Sequence, residues 1–288
     1  MDTSLVNNKI NIEHLEKYAA IIGENPSKGA RSPKLWNAVF ETENINFKMI
    51  PLDVSKDNII DLLNNLNEDK NFIGGAVAIP YKEDVANWLD ENISIEAKKI
   101  GAVNCLYRDY QGKLKGTNTD GEASIVTFQR KFGSIKNKFI MLLGIGGAGK
   151  AVASYFASNA KEVVIISRSV KGIKYANKIN AKWDLWDNLN KYLNFVDVVV
   201  NCTSLGYGKQ ENLSPLDIQQ IKSLKKTSII FDIVYQPLDT KLLKIASSEG
   251  FDIINGLDMN LEQAVLAYKY TVNTNINKNE IRKIMSKQ

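Results

Sequence analysis

The 288-residue chain has few of the side chains that most often bind metals or move protons: one histidine, His14, and two cysteines, Cys105 and Cys202. A zinc site built from such residues needs four ligands at short spacing, and three scattered residues cannot supply them, so no metal is expected. Two distant cysteines make no disulfide framework, which suits a reducing, cytoplasmic setting. A catalytic histidine would have to be His14, but Asn11-Ile12-Glu13-His14-Leu15-Glu16 reads as an exposed helical turn. No run of about 18 apolar residues occurs, so no membrane helix is expected. Met1-Asp2-Thr3-Ser4 lacks the basic start and apolar stretch of a signal peptide. A block of like charge is also missing. Lys plus Arg is 37 and Asp plus Glu is 32, a net +5, and the two signs interleave. That pattern argues for a solvated mixed surface and against a nucleic-acid patch, despite a pI near 8.9.

What remains is an ordinary globular composition, 44% hydrophobic and 24% charged, of a length that fits two domains at roughly 100–200 residues each. The first hundred residues alternate strand and helix signals. Ala19-Ala20-Ile21-Ile22-Gly23 is a strand running into a loop, and Pro33 opens a helix, where proline is favourable in the first turn. Phe47 to Leu52 reads as a strand, Asn58 to Leu66 as a helix, and Gly74 to Pro80 as a third strand. Such alternation implies a parallel α/β sheet. From Asp120 a second α/β region begins. Phe139-Ile140-Met141-Leu142-Leu143 is continuously apolar, as a parallel strand buried on both faces requires. Val163 to Ile166, Val196 to Val200 and Ser228 to Asp232 follow with helical segments between them, the pattern of a doubly wound sheet. Met259 to Val272 is helical and need not belong to that sheet.

Gly144-Ile145-Gly146-Gly147-Ala148-Gly149 follows the first of these strands and enters a helix. In that context G-x-G-x-x-G has a mechanism: a tight turn at Gly144, close approach of a pyrophosphate at Gly146, and helix–strand packing at Gly149. The helix start adds N–H groups and a positive dipole end. The alternative is a glycine-rich turn without a ligand. The next strand ends at Ile166 and runs into Ser167-Arg168-Ser169, with Lys171 nearby. An NAD site would want a carboxylate there. Arg168 suits a 2′-phosphate and favours NADP. A third strand end, Asn201-Cys202-Thr203-Ser204, places small polar groups at the cofactor cleft. With no metal and no suitable histidine, a carbonyl-reducing enzyme must draw its proton donor from Lys, Tyr, Asp or Glu. Lys82, after Ile79-Pro80-Tyr81, is expected in a loop at a strand end, and Asp120, in Gly116-Thr117-Asn118-Thr119-Asp120-Gly121, is its natural partner.

Taken together, these blocks resemble the shikimate dehydrogenase family over nearly the whole chain. Ser32-Pro33 with Asn37 resembles the end of a substrate-carboxylate motif, and Val77-Ala78-Ile79-Pro80-Tyr81-Lys82 a catalytic-lysine block. Gly101-Ala102-Val103-Asn104, Asn118-Thr119-Asp120-Gly121 and the Gly144–Gly149 loop follow in family order. So do Asp232-Ile233-Val234-Tyr235 with Pro237 and Thr240, and Gly256-Leu257-Asp258-Met259 with Gln263. The resemblance implies NADP-dependent interconversion of 3-dehydroshikimate and shikimate. Lys82 and Asp120 would be catalytic, Asn104 and Gln263 would hold ring hydroxyls, and Ser32 and Tyr235 the carboxylate side. Gly144, Gly146, Gly147, Ala148, Gly149, Ser167, Arg168, Ser169, Thr203 and Gly256 would hold the cofactor. The implied fold is α/β, with an N-terminal parallel-type substrate domain (residues 1–119 plus 256–288) and a Rossmann, doubly wound NADP-binding domain (120–255). The expected partner is a small molecule, with no nucleic acid and no membrane, on a monomer or homodimer.

The chain departs from the family pattern at Gly29 and Ala30, where the family has His and Ser, and at Ala76 and Ala78, where it has Asn and Thr. Each change removes a side-chain group that could reach the substrate. A quinate or aminoshikimate-type substrate, or a non-catalytic NADP-binding sensor, is therefore kept open, as is a folate-type dehydrogenase of the same fold.

Overall fold

The computed structural model describes residues 1–170 and 172–288; Lys171 lies outside the described residues. The chain divides into two compact units, one of residues 1–119 with 263–288 and the other of residues 120–262.

The first unit is built on a five-stranded sheet. Its strands are β1 (Lys17–Gly23), β2 (Phe47–Asp53), β3 (Phe72–Val77), β4 (Cys105–Arg108) and β5 (Leu114–Thr117), in the order β2-β1-β3-β4-β5. Strands β2, β1 and β3 are parallel, with Lys17 opposite Phe47 and Tyr18 opposite Phe72. The expectation of a parallel sheet fails at the other edge, where β4 runs antiparallel to both β3 and β5. For the β4–β5 pair the reason is connection length. Asp109–Lys113 is a tight turn, closed by Asp109 N–H on the Lys113 carbonyl and by the Asp109 carboxylate on the Gln111 and Lys113 N–H groups. So short a connection can join only antiparallel strands.

Helix α1 (Ser32–Thr42) carries Pro33 in its first turn and buries Leu35, Trp36, Val39 and Phe40 on one face. Helix α2 (Ile59–Glu68) buries Ile59, Leu62, Leu63 and Leu66, the i, i+3, i+4, i+7 stripe of a helix lying on a core. Helices α3 (Lys82–Leu89) and α4 (Ile95–Ile100) fill the crossover from β3 to β4. His14 stands in an exposed turn and not in a helix.

The second unit opens with α5 (Asp120–Phe132). It then alternates β6 (Phe139–Leu143), α6 (Gly147–Asn159), β7 (Glu162–Ser167), α7 (Gly172–Lys178) and β8 (Lys182–Leu185). Next come β9 (Val198–Asn201), α8 (Ile218–Lys222), β10 (Ile229–Asp232), α9 (Lys241–Ser248) and β11 (Asp252–Ile254). The six strands lie in the order β11-β10-β9-β6-β7-β8 and all pair parallel. Ile140, Met141, Leu142 and Leu143 of β6 are fully buried, as a central strand covered on both faces must be. The edge strands β8 and β11 are short and partly exposed, which hid them from the apolar-run reading.

Helix α10 (Gly256–Thr271) contributes to both units, which part between Glu262 and Gln263 inside it, rather than ahead of it at residue 256. Its later half is fastened to the first unit by Tyr268. That ring packs edge-on to Trp36 at 5.2 Å, and its hydroxyl donates to Glu43 at 2.7 Å. Helix α11 (Lys278–Met285) follows. Among the described residues no helix is long and apolar enough to cross a membrane.

Candidate active site

Lys82 is the first residue of α3 and is half-buried, not in a loop as the sequence suggested. Its backbone is held from both sides. Tyr81, 1% exposed, donates its hydroxyl to the Val54 carbonyl at 2.8 Å, and the Lys82 carbonyl accepts the Val103 N–H at 2.8 Å. The lysine is therefore carried on a fixed start of helix.

The segment that grips Lys82 is itself laced to the one preceding Asp120. Asn118 donates its amide to the Ala102 carbonyl at 3.0 Å. The Asn104 side-chain oxygen accepts the Thr119 N–H at 2.7 Å, and the Asn104 amide donates to Thr119 Oγ1 at 3.1 Å. Thr119 Oγ1 lies 3.2 Å from the Gln263 carbonyl, to which it donates. Asn104 is 2% exposed, and burial of that amide is tolerable only because these bonds are made. Three expected site segments thus meet through Thr119, a residue to which the sequence pattern gives no role. Its signal was an Asn-Thr-Asp run directly after a strand.

Asp120 is the first residue of α5 and is 6% exposed. A carboxylate in the first turn is favoured by the helix dipole. Gly121 beside it leaves room for α6, since a Cβ there would fall 2.2 Å from the Tyr155 ring and 2.7 Å from the Ala151 carbonyl.

Ser32 is 5% exposed at the start of α1, and its hydroxyl makes no hydrogen bond among the described residues. The loop leading to it is tied to the end of β2 by Ser27, whose N–H and hydroxyl both go to the buried Asp53 carboxylate. Arg31 is half-buried at the helix N-cap position and Lys28 is exposed. Tyr235 belongs to the second unit, half-buried beyond β10.

In the second unit the chain leaves β6 for β7 and β8 on one side, then returns to β9 on the other. Leu143 of β6 stands opposite Asn201 of β9, so their carboxyl ends flank the switch point where open α/β sheets bind ligands. The glycine loop leaves from this point. Gly144 has φ +94°, a conformation costly for any other residue, and a Cβ on it would lie 2.9 Å from the Thr203 methyl. A Cβ on Gly149 would stand 2.7 Å from the Gly144 carbonyl, so the helix can only close on the loop without one. Gly146 and Gly147 face open space, and Gly146 N-caps α6 with no side-chain bond to its first N–H groups. Ala148 follows, half-buried in the first turn. The start of α6 thus carries no side-chain cap, and nothing lies within 4 Å of where a Cβ on Gly146 or Gly147 would stand, which suits an anion.

At the end of β7, Ser167 is 6% exposed and its hydroxyl is engaged, donating to the Ser169 carbonyl at 2.9 Å and accepting from the Trp183 indole at 2.8 Å. It shapes the loop. Arg168 and Ser169 are exposed, and Arg168 makes no hydrogen bond or ion pair among the described residues. Thr203 is half-buried beside the glycine loop. Gly256 packs on the backbone of Ile233 and Val234, where a Cβ would fall 2.2 Å from the Ile233 carbonyl oxygen.

A buried network backs this end of the sheet. Asp232 and Asn201 are both fully buried. Asp232 accepts from Asn201 at 2.9 Å, from Val234 N–H at 3.0 Å and from the Thr240 hydroxyl at 2.7 Å. Burial, opposed by these donors, pushes its carboxyl up to about 6. The Cys202 thiol is held well above its usual value, first by burial and then by the Asp232 charge. Among the described residues no group of three or more His, Cys, Asp or Glu could hold a metal ion.

A parallel doubly wound sheet with bare helix amides at its switch point and an unengaged guanidinium one strand away defines a dinucleotide-binding α/β protein. Residues 21–106 match the family model for the shikimate dehydrogenase substrate binding domain, and residues 127–253 match that for shikimate / quinate 5-dehydrogenase. The shikimate dehydrogenase (NADP(+)) of Pyrococcus furiosus is 35% identical over 255 residues, covering 88% of this chain and 89% of the relative. A crystal structure of a shikimate dehydrogenase in complex with NADP+ superposes with a TM-score of 0.82 at 27% identity, over 97% of each chain. The shikimate 5-dehydrogenase of Listeria monocytogenes, in complex with shikimate and NAD, gives 0.82 at 26% identity over 96% of this chain and 100% of that one. The chain belongs to the shikimate dehydrogenase family.

Proposed function

We propose that the protein is an NADP-dependent oxidoreductase that interconverts 3-dehydroshikimate and shikimate. The observation that carries the oxidoreductase reading is the glycine cradle, with open space over Gly146 and Gly147 and uncapped amides at the start of α6. The substrate follows from family membership, the Pyrococcus furiosus relative being named a shikimate dehydrogenase (NADP(+)).

The residues present fit the dinucleotide. Gly144 to Gly149 would take the pyrophosphate on backbone N–H groups, and Arg168 with Ser169 would take a 2′-phosphate. Thr203 and Gly256 complete the cofactor assignment, while Ser167 supports it from inside the loop. When bound, the nicotinamide supplies or accepts the hydride. Lys82 donates a proton to the substrate oxygen as charge develops there during reduction, and takes one back in the reverse direction. Asp120 is assigned to the same proton transfer. Asn104 and Gln263 are assigned to ring hydroxyls, and Ser32 and Tyr235 to the carboxylate. We assign a cytoplasmic setting, which suits two buried cysteines that form no disulfide, and a monomer or homodimer. The oligomeric state is read by light scattering.

Mixing the purified protein with NADP and shikimate, and following nicotinamide absorbance, tests the reading. Turnover with shikimate is expected. Turnover with quinate or an amino analogue alone would move the substrate assignment, with Ala30, Ala76 and Ala78 as the reason. NADPH binding without turnover of any of them would replace the enzyme by a sensor.

A further inference from the structure

Asn201 and Asp232 end neighbouring strands in register, and both side chains are fully buried. A buried carboxylate is costly unless its lone pairs are met, and three donors meet this one. A carboxylate can only accept, so the Asn201 amide must turn its NH2 towards Asp232, and the same NH2 also donates to the Leu205 carbonyl at 3.1 Å. Its oxygen is then forced the other way, onto Thr203. There it accepts both the Thr203 N–H at 3.0 Å and the Thr203 hydroxyl at 2.7 Å. The same hydroxyl oxygen accepts the Leu205 N–H at 3.1 Å. Those bonds hold the Thr203 hydroxyl from two sides, and its methyl lies against Gly144 at the root of the glycine loop.

We propose that Asn201 and Asp232 are a positioning pair: the carboxylate sets the amide, the amide sets Thr203, and Thr203 sets the wall facing the glycine loop that receives the dinucleotide. The proposal rests on the cofactor reading given above. What it adds is that dinucleotide affinity depends on two buried groups that never touch the ligand.

The acceptor matters here and the charge does not. In Asp232→Asn, the amide oxygen can still serve Asn201 and Val234, and its NH2 can donate to the Thr240 hydroxyl, which is able to accept. In Asp232→Leu the acceptor at position 232 is gone, and the Asn201 amide keeps only the Leu205 carbonyl. Thr240→Val is the control, since it removes the bond to the other carboxylate oxygen, together with the Thr240 cap on the Leu243 N–H, and leaves the Asn201 link intact.

The experiment is titration of each protein with NADPH, followed by its fluorescence, alongside amide exchange at Thr203 and Leu205. Wild type, Asp232→Asn and Thr240→Val are expected to bind within about twofold of one another, and Asp232→Leu about tenfold more weakly, as loss of one buried bond implies. Exchange at Thr203 is expected to quicken in Asp232→Leu alone. Should Leu at 232 prevent folding, Asn201→Ala, which leaves Asp232 its Val234 and Thr240 donors, carries the same expectation. Wild-type affinity in Asp232→Leu or Asn201→Ala overturns the proposal, as does an equal loss in Thr240→Val, which would mark a general structural effect. Absence of NADPH binding by the wild type is a different failure: it refutes the cofactor reading itself and removes the proposal with it.

Discussion

Replacing Asp232 with Asn removes a single charge from a site with no solvent exposure and leaves its hydrogen-bonding geometry in place. Burial lifts the wild-type carboxyl from its ordinary 3.8 to about 6. A carboxyl raised in the folded state takes up its proton on folding in the window between those values. Its contribution to stability is fully present below the unfolded value and is lost as pH rises through the folded one. Going from pH 7 to pH 5 this makes the wild type more stable by roughly 1 kcal/mol, because the folded carboxyl is mostly protonated at pH 5 while the unfolded one is not. The Asn variant has no such proton to bind. Cys202, whose thiol feels the Asp232 charge, is held above its usual value by burial and stays neutral throughout that range. Urea unfolding of both proteins at the two pH values isolates the effect, since every other carboxyl cancels in the difference. The stability of the wild type relative to the variant is expected to rise on acidification. An unchanged gap, or one moving towards the variant, would put the Asp232 carboxyl at or below its ordinary value and refute the reasoning.

Lys82→Ala is expected to lower kcat by about 10²–10⁴-fold in the shikimate assay, the usual worth of one general acid; full activity would remove its role. Arg168→Ala should weaken NADPH binding far more than NADH binding, and equal losses would show that Arg168 does not read the phosphate. Gly121→Ala forces a methyl into the Tyr155 ring and the Ala151 carbonyl, and should cost about 1–3 kcal/mol in urea unfolding. Ala30→Ser adds a hydroxyl two residues before Ser32 and should lower the KM for shikimate by about tenfold or more, as a hydrogen bond to a charged group implies.

The central strands could be read from the sequence because burial on both faces leaves no room for polar residues. Ile140 to Leu143 and Val198 to Val200 are buried throughout, and their apolar runs say so. The edges could not. β8 and β11 meet solvent, and the β4–β5 hairpin announces itself only through the turn chemistry of Asp109 and Gly112. In the candidate site, residues defined by chain context were legible: the glycine loop from its strand-to-helix setting, Arg168 from its distance past it, and Lys82 from its place after a strand. Residues defined by a partner distant in sequence were not. Thr119 matters because Asn104 reaches it, and Asn201 because Asp232 does, and neither pairing leaves a local pattern. Ser167 shows the opposite error, a hydroxyl well placed in sequence but already engaged by Trp183 and Ser169.

That engagement separates architecture from selectivity. The loop after β7 is braced from within by Ser167 and Trp183, and Arg168 projects from it without contributing to the brace. On the proposed role of Arg168, a change of charge at position 168 should alter which dinucleotide is preferred while leaving the Ser167–Trp183 brace in place. With Arg168 reading the 2′-phosphate as proposed, cofactor preference is a replaceable trait: one outward side chain, open to drift or to redesign, beside a brace it takes no part in.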